Sequence, residues 1–129
     1  MTDHKTPSVA LVVLDTLRAD RFEEHFSWLP GETVENAWST SHWTVAAHAS
    51  LFTGQYAGEI GVHSLNPYLL DEVPTLAEQL QDTGYETTGF SCNPHLSPEF
   101  GFTRGFEDMR RNWVGRRLDS DIYPWGDFI

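Results

Sequence analysis

Val9-Ala10-Leu11-Val12-Val13-Leu14-Asp15-Thr16-Leu17-Arg18-Ala19-Asp20 is the stretch whose reading decides the fold. Six apolar residues run without interruption into one carboxylate. An apolar run of that length predicts a strand over residues 8–14, buried on both faces as in a parallel sheet. Asp15 then stands at the carboxyl end of a buried strand, where open α/β sheets place their ligands. A carboxylate stays charged there only if a cation or several donors meet it. Asp15 is therefore a candidate metal ligand or hydrogen-bond anchor. The alternative is an acid that caps the next turn or helix.

Outward from this stretch, Leu17, Phe22, Phe26 and Leu29 recur at roughly helical spacing, and Pro30-Gly31 stops them. Residues 33–39 alternate weakly and predict a short strand carrying Val34, Ala37 and Trp38. A polar loop leads into a helix over residues 44–52, closed by Gly54. After a Gly- and Pro-bearing loop, Pro74 opens a second helix over residues 75–83, ended by Gly84. Residues 85–91 predict another buried strand. Residues 100–106 suit a short strand or an aromatic-packed turn, and residues 110–129 are mixed. Strand, helix, strand, helix, strand is an α/β order, and right-handed crossovers make much of the sheet parallel. The expectation is one domain over residues 1–129, a partly parallel sheet flanked by helices. About four strands leave exposed edges. The final Trp125-Gly126-Asp127-Phe128-Ile129 reads as the front part of something longer.

The chain carries a formal charge of -11, with seven arginines and one lysine, Lys5. That surface repels nucleic acid and anionic membrane, so neither is an expected partner. Acid excess with almost no lysine also suits a halophilic protein, because at ~1 M salt the screening length falls to ~3 Å and self-repulsion is quenched. The alternative is an ordinary acidic surface. Cys92 is the single cysteine, which excludes an internal disulfide and a cysteine zinc cluster, and it reads as a small buried hydrophobe. No signal peptide is expected before the first strand, and no apolar run reaches the ~20 residues that span a bilayer. The expected location is cytoplasmic.

Three places can carry chemistry. Asp15 is the first. The second is Thr44, at a predicted helix N-terminus whose free N–H groups and dipole favour an anion such as a phosphate or sulfate ester. A hydroxyl there becomes a nucleophile if a metal or base activates it. His48 follows at i+4 on the same face. The alternative makes Thr44 an ordinary N-cap and His48 a helix-face histidine. The third is Asn93 and His95, after the strand over residues 85–91. The alternative there is an Asn-Pro turn with a solvated histidine.

Taken together these pieces resemble the N-terminal part of a sulfatase, within the alkaline phosphatase superfamily. Val12 to Asp20 is similar to the family's opening strand and metal-binding acid. Val34-Glu35-Asn36-Ala37-Trp38-Ser39 resembles its "F-x-N-A-Y" strand. Trp43 to Gly54 sits where the family has its nucleophile and the helix ending in "L-x-T-G". Pro74 to Leu80 with Gly84 to Thr88 resembles "T-L-A-E-x-L-x-x-x-G-Y-x-T", and Phe102-Thr103-Arg104-Gly105-Phe106 matches "G-F-D-R-G-F".

The resemblance implies an alkaline phosphatase-like fold, incomplete on its C-terminal side, and a metal-dependent hydrolase of small-molecule sulfate or phosphate esters. It implies Thr44, His48, Asn93 and His95 as catalytic residues. It implies a divalent ion (calcium, magnesium or manganese) on Asp15, Thr16 and Thr44. The chain also departs from the family. The Cys or Ser of C-x-P-S-R, which becomes formylglycine, is here Thr44, which cannot form that aldehyde. The motif's Arg is His48, so bidentate anion holding is weakened. The second of the paired aspartates is Thr16. The Lys of G-K-W-H is Asn93, with His95 keeping the His. The family's second Asp-His metal half lies beyond Ile129. A fragment with little activity alone, completed by a partner chain or a C-terminal half, is the expectation. The alternative is a non-catalytic sulfatase-like module. A nucleotide-binding domain ranks last, since no Gly-rich phosphate loop is present.

Overall fold

The computed structural model describes residues 7–111. The expectations for residues 112–129 lie outside them. The chain divides into two compact units with the boundary between Ala37 and Trp38, each described by itself.

The first unit holds one helix, α1 (Ala19–Phe26). Its entry is fixed by Arg18, which forks onto the Asp20 carboxylate through two bonds of 2.9 and 3.0 Å. Phe22 and Phe26 stack at 5.5 Å, and Trp28 closes on Phe26 at 6.4 Å. Helical spacing across residues 17–29 thus yields a shorter helix with an aromatic ridge. The buried strand expected at residues 8–14 is corrected. The segment has no strand partner among the described residues, and Val9, Leu11, Val12, Val13 and Leu14 are all exposed. Apolar residues make a strand only when neighbouring strands take up the backbone donors and acceptors. Residues 33–39 form a turn and irregular chain instead of the expected strand.

The second unit contains α2 (Thr44–Thr53), α3 (Leu76–Asp82) and a parallel pair, β1 (Thr88–Ser91) with β2 (Asp108–Arg111). Thr88 pairs with Asp108 and Ser91 with Arg111. This is the expected α/β class: among the described residues, three α-helices and a two-stranded parallel sheet, consistent with part of an alkaline phosphatase-like fold. The strand at residues 85–91 is shorter than expected and buried only at its end, at Ser91. Residues 100–106 resolve as turn rather than strand.

Local chemistry explains both helices. α2 is apolar nearly all round and buries Val45, Ala46, His48, Ala49 and Ser50. Gly54 ends it at φ 71°, with its N–H on the Ser50 carbonyl. α3 begins with a reciprocal capping box. Thr75 N donates to Glu78 Oε2 at 2.7 Å, and Glu78 N donates to Thr75 Oγ1 at 3.2 Å. Gly84 and Tyr85 then donate back to Gln81 and Leu80, a Schellman ending. The core joins Val45 and Ala49 of α2 to Ile60, Val62, Leu69, Leu96 and Phe102.

The 101–106 turn ties these parts together. Gly105 lies at φ 79°, and a Cβ there would overlap the backbone of Ala77 and Glu78. Its neighbour Arg104 reaches five oxygens. Nη2 donates to the carbonyls of Leu70 and Val73, both at 2.9 Å. Nη1 donates to Asp71 O at 3.2 Å and Glu78 Oε1 at 3.4 Å, and Nε donates to Gly101 O at 3.3 Å.

Candidate functional site

Trp43, in extended conformation, takes the N-cap position of α2. Its N–H donates to Ser41 Oγ at 3.2 Å, and Ser39 Oγ donates to Ser41 O at 2.6 Å. The polar loop thus uses its own hydroxyls to set the entry of the helix. Thr44 is therefore the first helical residue and not the cap, which corrects the capping alternative. Its side chain is half-buried, and among the described residues its hydroxyl has no hydrogen-bond partner. The first backbone bond into the helix is Ala47 N to Trp43 O at 3.0 Å. The N–H groups of Thr44, Val45 and Ala46 consequently have no acceptor within α2 and lie at the positive end of its dipole, with Val45 and Ala46 themselves buried.

His48 lies one turn behind and is 7% exposed. Its Nδ1 sits 2.8 Å from the Thr44 carbonyl oxygen. Its ring meets Phe52 edge-on at 6.3 Å, and Phe52 leans on Phe102 and Phe106. The structure thus joins His48 to Thr44 through the backbone of Thr44.

Asn93 and His95 follow β1. Asn93 N donates to Ser91 Oγ at 3.0 Å, and His95 N donates to Asn93 Oδ1 at 2.9 Å. This is the Asn-Pro turn of the alternative reading. His95 is exposed, with its ring 5.7 Å from Phe100. Cys92 is exposed, contrary to the expected buried position. It follows the four-residue strand on an irregular segment.

In the first unit, Asp15 and Thr16 form an exposed turn. Thr16 has φ 60°, a conformation costing a branched residue about 1–2 kcal/mol. Its hydroxyl donates to the Asp15 carbonyl at 2.7 Å. Oxygen donors of this kind suit calcium, magnesium or manganese. Among the described residues, however, no three His, Cys, Asp or Glu side chains converge as a metal site. One carboxylate and a hydroxyl do not by themselves enclose an ion.

Two features escaped the sequence reading. Arg104 stood out only as part of a pattern, although its many acceptors make it the principal polar fastener of the second unit. A cleft of about 440 Å³ also flanks the first turn of α2, between His42, Trp43 and Ala46 on one side and Tyr56 and His63 on the other. Nothing in the spacing of His42 and His63 marks them as neighbours of one cavity. No helix among the described residues is long and apolar enough to cross a membrane.

A family model described as Sulfatase matches residues 9–125. No curated protein and no solved structure matches significantly.

Proposed function

Because the chain belongs to the sulfatase family, we propose that it forms the N-terminal portion of a hydrolase acting on small-molecule sulfate or phosphate esters. The observation that carries this reading is a half-buried hydroxyl, Thr44, at the first position of a helix whose leading N–H groups have no acceptor within the helix. The ester's anionic group lies on those N–H groups. Thr44 Oγ attacks sulfur or phosphorus, the new O–S or O–P bond replaces the bond to the alcohol, and the alcohol leaves with a proton. Water later releases the anion from Thr44. His48 and His95 are the candidate acid and base, and Asn93 is a neutral donor. A divalent cation (calcium, magnesium or manganese) belongs to the proposal as cofactor. Asp15, Thr16 and Thr44 are its candidate ligands, and the rest of its shell comes from outside the described residues.

Three further points belong to the same proposal. The exposed apolar run at residues 9–14 supports completion by a C-terminal half or partner chain. The acid excess supports a halophilic surface, and the location proposed is cytoplasmic. A non-catalytic sulfatase-like module is the second reading. It is favoured by Thr44 in place of a formylglycine precursor and by the engagement of Asn93 in a turn.

The test is titration of the chain with inorganic sulfate and phosphate, with and without calcium, magnesium or manganese, followed by amide NMR. Saturable shifts at Thr44, Val45 and Ala46 that vanish in Thr44→Ala are expected. If those amides stay unmoved under every condition, the ester site is wrong and the non-catalytic module is left.

A further inference from the structure

The cleft beside the first turn of α2 is bordered by chain segments tied to one another, and Thr44 does not line it. Ser50 Oγ, on α2, accepts the Ala57 N–H at 3.1 Å and so anchors the loop that carries Tyr56. The Val62 N–H then returns to the Ala57 carbonyl at 2.8 Å. His63 and Asn66 exchange two backbone bonds of 3.0 and 2.8 Å, and Asn66 Nδ2 donates to the Gly61 carbonyl at 2.8 Å. The walls are therefore held before a ligand arrives, which spares binding the cost of ordering them. The volume, about 440 Å³, lies within the range of small-molecule pockets.

The lining defines what fits. Four rings border the cleft, those of His42, Trp43, Tyr56 and His63. Among the described residues none of these four is paired with another ring, whereas Phe52, Tyr68, Phe100 and Phe102 all are. Their faces and edges are thus free for a ligand's ring. Ala46 and Val62, both buried, add apolar surface. Among the described residues no Asp, Glu, Lys or Arg lines the cleft, although these types make up 21% of the chain. A charged ligand group would lose water there and gain no counter-charge. One donor is left to orient the ligand. His63 Nδ1 accepts the Leu65 N–H at 3.3 Å, so in the neutral ring the hydrogen sits on Nε2.

We propose that this cleft binds an uncharged aromatic compound, a single ring or two fused rings bearing an oxygen acceptor. The ring lies against Trp43 and Tyr56, and the oxygen accepts from His63 Nε2. This goes beyond the ester reading and needs neither Thr44 nor a metal ion.

The experiment is an amide NMR titration of the full chain with 2-naphthol, uncharged at neutral pH, with cyclohexanol and 2-naphthoate as controls. Saturable shifts are expected at Trp43, Ala46, Gly58 and His63 with 2-naphthol. Cyclohexanol keeps the oxygen without the aromatic ring, and 2-naphthoate keeps the rings but adds a charge, so each should bind more weakly. Tyr56 is exposed, so its replacement spares the fold, which the melting temperature checks. Tyr56→Ala should weaken 2-naphthol binding about twofold to tenfold, the factor one aromatic pair supplies, and Tyr56→Phe should restore it. Three results overturn the proposal: no saturable shifts, a control that binds as tightly as 2-naphthol, or unchanged binding in Tyr56→Ala. Sulfate and phosphate are titrated separately, so failure of the ester site leaves this result standing, and an empty cleft leaves the ester reading untouched.

Discussion

Replacing Arg104 by Met keeps the apolar stem and removes the guanidinium. The side chain is only 18% exposed, and its two shortest bonds, both 2.9 Å, go to the carbonyls of Leu70 and Val73. Removing a charged donor from partly buried carbonyl acceptors costs about 1.5–3 kcal/mol. Leu70 is exposed and its carbonyl can turn to water, which keeps the loss below the upper end. The Asp71 carboxylate at 3.7 Å adds little, since it is 92% exposed. The expected loss is therefore about 2 kcal/mol. For a domain of this size that lowers Tm by roughly 8–16 °C. Circular dichroism melts of Arg104→Met and Arg104→Lys provide the assay. Lysine keeps the charge but not the fork, so it should fall between the two. Hydrogen exchange should also quicken at Glu78, whose carboxylate serves both Arg104 and the capping box. A Met variant melting within about 3 °C of the parent, a shift worth under about 1 kcal/mol, would refute this account.

Gly105→Ala should destabilise by more than the roughly 1 kcal/mol of a left-handed alanine, because its Cβ would overlap the start of α3; a urea midpoint no lower than wild type would contradict this. Thr75→Ala removes the capping hydroxyl and should cost about 0.5–2 kcal/mol by the same urea measurement. Thr44→Ala should leave the melting temperature nearly unchanged, since its hydroxyl has no partner among the described residues, while anion binding at the α2 front is lost. Glu99 is held below the ordinary carboxylate range, chiefly by the Ser97 hydroxyl, then by its own backbone N–H and by Arg111. Ser97→Ala removes the largest of these contributions and should raise the Glu99 titration in a carboxyl NMR series. Because the folded value is depressed, this contribution is present above the unfolded glutamate pKa and is lost as acid carries the pH down through the folded one.

The helices of the second unit were legible because their signals are local. Pro74, Gly84 and Gly54 are each read within one turn of where they act. The run at residues 9–14 announced a strand, but a strand needs partners that sequence does not name, and here it is irregular and exposed. β2 was illegible for the opposite reason. Asp-Met-Arg-Arg carries no alternation, and its pairing is set by register with Thr88–Ser91. In the candidate site, Thr44 and His48 were recognised by spacing. That His48 turns Nδ1 to a carbonyl, and that Asn93 spends its Oδ1 on a turn, depends on rotamers that spacing cannot encode.

Glu78 and Arg104 are separated by 26 positions. On a translating ribosome that adds roughly 5–20 residues each second, α3 emerges about 1–5 s ahead of the guanidinium that fastens it. During that delay the capping box alone must hold the helix start, and the 70–73 carbonyls stay hydrated. Codon changes that slow synthesis between these positions should therefore lengthen exposure to nascent-chain proteases without altering the finished molecule.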